Sequence, residues 1–205
     1  MGELDANLAG AKARGRGALS NTPSRYDPYA RAAVDDGWAR DDDLPPLRTE
    51  VSIERPKSVI TKNTSPDLSF DRSINPYRGC EHGCVYCFAR PSHAWLGLSP
   101  GLDFETRLIA RPEAPEILVR ELAKPGYQPK PIAIGTNTDP YQPIERDYRV
   151  MRRLLEVLEA HNHPVTVTTK GVLIERDIDI LARMAGKGLA AVGISVTTLD
   201  PGVSR

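Results

Sequence analysis

All three cysteines of the chain fall in one short stretch, Cys80-Glu-His-Gly-Cys84-Val-Tyr-Cys87. The spacing is C-x3-C-x2-C. Three thiolates on one tight loop can hold three irons of a 4Fe-4S cluster, which leaves the fourth iron open to chelation by a small molecule. Such a loop must curl to aim three sulfurs at one cluster, and Gly79 and Gly83 allow backbone conformations that a β-carbon would obstruct. Tyr86 and Phe88 flank the last cysteine and offer a flat apolar surface for a purine ring. Arg78 and Arg90 add positive charge, which favours ligating thiolates. A structural zinc ion is the competing use of the same sulfurs, with His82 or His93 completing a Cys3His tetrahedron, although zinc sites usually bring paired ligands from two knuckles. Inert buried cysteines would not cluster this way. An odd number of cysteines and the lack of a secretory pattern speak against a disulfide.

The elements that must position this loop follow from hydrophobic period. Residues 51–63 alternate weakly around a proline and predict a short edge strand or pair. Ser69 to Tyr77 predicts a first core strand running into the cysteine loop. A short helix is expected over Ala114 to Ala123, with Ile117, Leu118, Glu121 and Leu122 at helical spacing, and a short buried strand over Pro131 to Gly135. Asp147 to His161 is the clearest helix, because Val150, Met151, Leu154, Leu155 and Leu158 form one apolar stripe. That stripe makes Met151 a core residue rather than a cofactor contact. Pro164 to Thr169 predicts a β-branched strand, Glu175 to Ala185 a helix with Ile178, Leu181 and Met184 inward, and Leu189 to Thr197 a fourth strand.

Strands alternating with helices predict an α/β fold with parallel strands and right-handed crossovers. Ligands in such sheets bind beyond the carboxyl ends of the strands. The cysteine loop follows the first strand, Thr136 to Asp139 the second and Lys170 the third, and Ser195 sits late in the fourth. Thr136, Asn137 and Thr138 offer hydroxyl and amide groups to a polar ligand, or form a plain loop. Lys170 suits a carboxylate, or stands solvated. Ser195 can reach a ligand or be satisfied by nearby backbone. His161 and His163 are read as helix C-terminal groups interacting with the dipole, and Asp139 and Glu145 as turn and helix-start residues.

Lysine plus arginine and aspartate plus glutamate number 27 each, so the formal net charge is zero. A protein whose main task is to coat nucleic acid should carry a basic surplus. No apolar run approaches the roughly eighteen residues of a membrane span. Clustered reduced thiols without an export signal point to the cytoplasm. The length allows one sizeable core with an appended segment. Residues 1–50, first basic and glycine-interrupted and then acid-rich, predict a poorly ordered segment, and residues 51–205 the core domain. Arg14 and Arg16 are candidates for phosphate contact, set against a solvated tail.

The longer strings Asn75-Pro-Tyr-Arg-Gly-Cys80, Tyr86-Cys87-Phe88-Ala-Arg90 and Gly135-Thr-Asn-Thr-Asp-Pro-Tyr-Gln-Pro-Ile-Glu145 carry a family resemblance. The chain resembles the radical S-adenosylmethionine (SAM) enzymes, and more narrowly the spore photoproduct lyase-related branch and its uncharacterised bacterial members. These also carry an opening like Arg14 to Asn21. The resemblance covers most of the chain, best from about Val51 onward. It implies a 4Fe-4S cluster on Cys80, Cys84 and Cys87, with the methionyl amino and carboxylate groups of SAM on the open iron. It also implies cofactor contacts from Tyr86, Phe88, Gly135, Thr136, Asn137, Thr138, Lys170 and Ser195. The stretch from Thr136 would meet the amino group, Lys170 the carboxylate and Ser195 a ribose hydroxyl. One electron from a donor such as flavodoxin or ferredoxin would cleave SAM to a 5′-deoxyadenosyl radical, which takes hydrogen from a substrate that the sequence does not name, nucleic acid being a candidate.

The implied fold is a partial (β/α) barrel of the radical SAM type. About four of its usual six strands are expected here, with an open edge and exposed apolar helix faces. A separate chain supplying the remaining half is therefore an expected partner. Spore photoproduct lyase uses an additional cysteine as hydrogen donor, which this chain does not have to spare. The alternatives are a zinc-binding module that touches nucleic acid, and an inactive fragment of a radical SAM enzyme.

Overall fold

Short β-branched and aliphatic runs build the sheet that carries the strand-end residues. The computed structural model describes residues 15–23, 26 and 48–200. In chain order the elements are β1 (Glu50–Ile53), β2 (Thr61–Lys62), β3 (Arg72–Ile74), β4 (Tyr77–Arg78), a 3-10 helix (Arg90–Leu96), α1 (Leu102–Thr106), β5 (Arg107–Ala110), α2 (Ala114–Leu122), β6 (Ile132–Ile134), α3 (Glu145–Tyr148), α4 (Val150–Ala160), β7 (Val165–Thr169), a second 3-10 helix (Val172–Asp177), α5 (Ile178–Gly186) and β8 (Ala190–Ile194). They fall into two compact units. The first holds the described residues up to Val51 together with Gly79–Leu108, and the second holds Ser52–Arg78 and the described residues from Ile109 onward.

The second unit carries the main sheet, ordered β2-β3-β6-β7-β8. β2 runs antiparallel to β3. β3, β6, β7 and β8 are mutually parallel, with Ile74 opposite Ile134, Ile134 opposite Val167, and Thr169 opposite Ile194. This is the mixed α/β arrangement with parallel strands that the strand–helix alternation predicts. β6 is buried at Ile132, Ala133 and Ile134 alike, as a central parallel strand covered on both faces must be. β7 buries Val165, Val167 and Thr169 and exposes Thr166 and Thr168, the period of a strand with one covered face. α4 buries the whole expected stripe, Val150, Met151, Leu154, Leu155 and Leu158, and packs against α2 and α5.

Several boundaries differ from the sequence reading, each for a local reason. The strand expected over Ser69 to Tyr77 is cut at Asn75-Pro76, because Pro76 has no amide hydrogen for the ladder. β3 therefore ends at Ile74, and Tyr77–Arg78 pairs antiparallel with Ile109–Ala110 in a separate sheet of order β1-β5-β4. The edge strand expected over 51–63 divides between the two sheets. The helix expected over 147–161 is two helices, separated by Arg149 in the left-handed region at φ 50°. The helix expected over 175–185 begins as a 3-10 turn and becomes α only at Ile178. Ile178 is mostly exposed, and Ile180 joins Leu181 and Met184 in the core instead. The short Arg90–Leu96 helix, α1 and β5 carry too little periodicity to be read in advance.

The break at Arg149 is made by Glu145, whose carboxylate is fully buried. It accepts the amides of Met151 at 2.9 Å and Arg152 at 3.4 Å, which caps the start of α4 from the preceding turn. The same carboxylate takes the Tyr77 hydroxyl and the Arg176 guanidinium at 2.5 Å. Burial, and then the charge of Glu145, raise the Tyr77 phenol far above its ordinary range. Arg176 and Arg152 also pair with buried Asp177, at 2.8 and 2.9 Å. Removing one member of a buried charge network leaves its partners uncompensated and costs about 3–5 kcal/mol. Glu145→Ala should lower the stability of the chain by that amount in urea unfolding followed by circular dichroism. A loss below about 1 kcal/mol, the range of exposed pairs, would show that the network does not hold the α3–α4 junction.

Candidate functional site

The cysteine loop belongs to the first unit. It turns at Gly79 and Gly83, which stand at φ 74° and 62°. A β-carbon on Gly79 would lie 2.6 Å from Leu108 Cδ2 and 2.9 Å from the Phe104 carbonyl oxygen, so only glycine lets the chain pass. The Cys80 amide donates to the Phe104 carbonyl at 2.8 Å, and the Cys87 amide to the Cys84 carbonyl at 3.2 Å. Arg90, which charge alone places near the thiols, donates to the Cys84 carbonyl from Nε at 3.2 Å and from Nη2 at 3.0 Å. It lies over the Phe104 ring at 5.3 Å. Its charge is met by Glu105 at 2.5 Å.

None of the three cysteines is in a disulfide, and Cys80 is buried while Cys84 and Cys87 are partly so. Cys80 packs with Ala89 and Phe104, and Cys87 lies against that cluster. Tyr86 is 62% and Phe88 80% exposed. Among the described residues no three histidine, cysteine or acidic side chains converge as ligands of a single metal ion. His93, a candidate fourth zinc ligand, is committed elsewhere. It is fully buried, its Nε2 bonds the Arg107 carbonyl at 2.9 Å, and its ring meets Phe104 edge-on at 5.5 Å. His93 is therefore not available to complete a Cys3His zinc site. A cubane makes a different demand, because each thiolate binds a separate iron. Three cysteines on one glycine-turned loop, none in a disulfide, fit that demand.

The other expected residues lie in the second unit, where the parallel sheet gathers them at the carboxyl ends of its strands. Gly135 follows β6 at φ 91°, and a β-carbon there would stand 2.0 Å from the Thr168 carbonyl oxygen. Thr136 and Asn137 are partly exposed beside it, and the Asn137 amide donates to Asn75 Oδ1 at 3.3 Å. Thr138 differs from its expected role, being 2% exposed and donating its hydroxyl to the Tyr77 carbonyl at 2.8 Å. Lys170 follows β7 and is exposed. Ser195 stands one residue beyond β8, exposed, with its amide on the Thr169 carbonyl at 2.8 Å.

Asp139 does more than shape a turn. Its carboxylate accepts the Thr169 hydroxyl at 2.6 Å, the Lys170 amide at 2.9 Å and the Tyr141 amide at 2.9 Å. It thereby ties the loop after β6 to the end of β7 and orients Lys170. His161 does act at the end of α4, its Nδ1 meeting the Val157 carbonyl at 2.8 Å. His163 does not. Asn162 takes the left-handed terminating position at φ 46°, and His163 turns into the core between the Tyr127 hydroxyl and the Pro164 carbonyl. Arg14 lies outside the described residues. Arg16 pairs with Glu81 at 3.1 Å and so is not a solvated tail residue. Glu105 went unnoticed in the sequence, where an acid in Asp-Phe-Glu-Thr carries no signal.

Comparison with known proteins gives the chain its relatives. A family model for the radical SAM superfamily matches residues 74–205, more than half of the chain. An uncharacterized protein of Mycobacterium bovis is 39% identical over 150 residues, which is 73% of this chain and 44% of that protein. An uncharacterized protein of Mycobacterium tuberculosis gives the same figures. An uncharacterized protein of Methanocaldococcus jannaschii is 23% identical over 158 residues, 77% of this chain and 56% of that protein. The chain thus spans less than half the length of the mycobacterial relatives. No solved structure matches significantly.

The two buried histidines make stability depend on pH. Burial lowers both His93 and His163 below the ordinary value of 6.5. Below about pH 6.5 the unfolded chain therefore binds more protons than the folded one, so stability is complete above that pH and declines as pH falls through it. The thermal midpoint should drop between about pH 7.5 and about pH 5.5, and His163→Gln should flatten part of that slope. A midpoint constant over this range would contradict the neutral state of these rings.

Proposed function

The chain belongs to the radical SAM superfamily, and from that membership we propose that it holds a 4Fe-4S cluster on Cys80, Cys84 and Cys87 and binds SAM for radical chemistry. The observation that carries this reading is the loop itself, whose three cysteines, none in a disulfide, are shaped by left-handed turns at Gly79 and Gly83. Bound there, the cluster would supply the single electron that breaks a carbon–sulfur bond of the sulfonium. The chain's own part is to bind, to orient and to keep the loop in shape. Arg90 grips the Cys84 carbonyl, and Tyr86 and Phe88 offer ring surface to an adenine.

At the strand ends, Gly135, Thr136 and Asn137 supply backbone and amide groups for the methionyl amino group. Lys170, oriented through Asp139, faces the carboxylate, and Ser195 meets a ribose hydroxyl. Thr138 belongs to the supporting structure, its hydroxyl being used by Tyr77. The quoted strings support kinship with the spore photoproduct lyase-related branch. All three cysteines of these 205 residues lie in the loop. Four parallel strands with interleaved helices support a partial barrel, completed by further strands from the longer relatives' architecture or from a separate chain. The electron donor would be a flavodoxin or ferredoxin, and a nucleic acid is a substrate class consistent with the branch.

Anaerobic reconstitution with iron and sulfide, followed by dithionite and SAM, tests the proposal. The parent chain should bind about four irons and sulfides, the content of one cubane, and release 5′-deoxyadenosine. Cys80→Ala should lose both properties. Stoichiometric zinc in place of iron, or full iron content in Cys80→Ala, would overturn the assignment.

A further inference from the structure

Residues 15–18 are bound to the cysteine loop in a way that neither the family match nor the motif accounts for. The fully buried carboxylate of Glu105 accepts three successive amides: Arg16 at 2.6 Å, Gly17 at 3.0 Å and Ala18 at 2.8 Å. Consecutive amides turned to one side form a nest for an anion, and the Gly15 amide closes this one on the Ala18 carbonyl at 2.9 Å. The other demand on Glu105 comes from Arg90 at 2.5 Å, the residue that also grips the Cys84 carbonyl. Burial by itself would raise the Glu105 carboxyl. The Arg90 bond and the amides of Gly17 and Ala18 more than offset this and hold it below its ordinary value.

Two further contacts reach the loop directly. Arg16 Nη2 pairs with Glu81 Oε1 at 3.1 Å, and Thr49 donates to the same oxygen at 2.6 Å. Gly17 rests on Gly83, so closely that a β-carbon on Gly17 would stand 1.8 Å from the Gly83 carbonyl oxygen. In return, a β-carbon on Gly83 would stand 2.4 Å from that of Arg16. The residues that follow are fastened along Ser99–Asp103 by the Asn21–Asp103 pair, at 2.9 Å in each direction, and by the Thr22 carbonyl on the Ser99 hydroxyl at 2.7 Å.

We propose that Arg16–Ala18 form a strap, seated by Glu105, that fixes the shape of the cysteine loop from Glu81 to Cys84 and so governs how firmly the loop holds its cluster. Glu105 is the positioning residue, acting on Cys84 through Arg90 and on Gly83 through Gly17. The inference rests on the cluster reading of the loop, but the strap's mechanical effect on the thiols can be measured without a cluster.

The test uses the full chain with Gly17→Ala, Arg16→Ala and Glu105→Gln. In the metal-free, reduced protein, modification of Cys84 and Cys87 by a small aromatic disulfide should be about tenfold faster in Gly17→Ala than in the parent, the size expected when one net hydrogen bond no longer opposes opening. The urea midpoint of the second unit should stay unchanged. After anaerobic reconstitution, the variants should bleach in air severalfold faster and retain less iron. Arg16 is half exposed, so Arg16→Ala keeps the fold and gives the decision should Gly17→Ala disturb it. Thiol rates and bleaching equal to the parent in all three variants would overturn the strap. A parent that takes up no iron and sulfide would overturn the cluster reading instead, and the thiol rates would still decide the strap.

Discussion

A carboxylate taken out of water has to be given nearly all of its hydrogen-bond donors by the fold, because a buried charge left short costs several kcal/mol. Each unit of this chain joins distant segments through such a group. In the first, Glu105 draws in the amides of Arg16 to Ala18 and the Arg90 guanidinium, and through Arg90 it restrains the backbone of Cys84. In the second, Glu145 collects the Tyr77 hydroxyl, the amides that open α4 and the Arg176 guanidinium. Both groups are fully buried, and both join segments far apart in sequence. The cysteine loop and the start of α4 therefore take their local shape from acids that belong to neither.

The parallel sheet adds a second constraint. Strands running one way leave their carboxyl ends on one side, so Gly135, Lys170 and Ser195 come together although helices separate them in the chain. Close approach there is set by Gly135, where a β-carbon would meet the Thr168 carbonyl, and by Asp139, which bonds across to Thr169 and Lys170. At the other side of the sheet β8 pairs with β7 alone among the described strands. Its Val192 and Ile194 are largely exposed, and a cavity of about 430 Å³ between β8 and α5 is lined by Ile174, Ile178, Leu181 and Ala185 among others. An edge strand of that composition is a template for further pairing.

What could be read in advance was what depends on neighbours in sequence. The cysteine spacing lies within eight positions, and the α4 stripe repeats every three or four residues, so both were visible without the fold. The strand-end rule then carried Thr136 to Asp139, Lys170 and Ser195 to one face. What could not be read depends on burial and on partners that no repeating pattern records. The break at Arg149 exists because a buried carboxylate caps α4, and Ile178 faces outward because a 3-10 turn delays the start of α5 and rotates its stripe to Ile180. His163 and Thr138 have the polar groups of a cap and a ligand contact, but neighbours distant in sequence, Tyr127 and Tyr77, claim them first. Glu105 is the extreme case. Its donors Arg16 to Ala18 are nearly ninety positions away, so no window along the chain contains both sides of the interaction that shapes the cysteine loop.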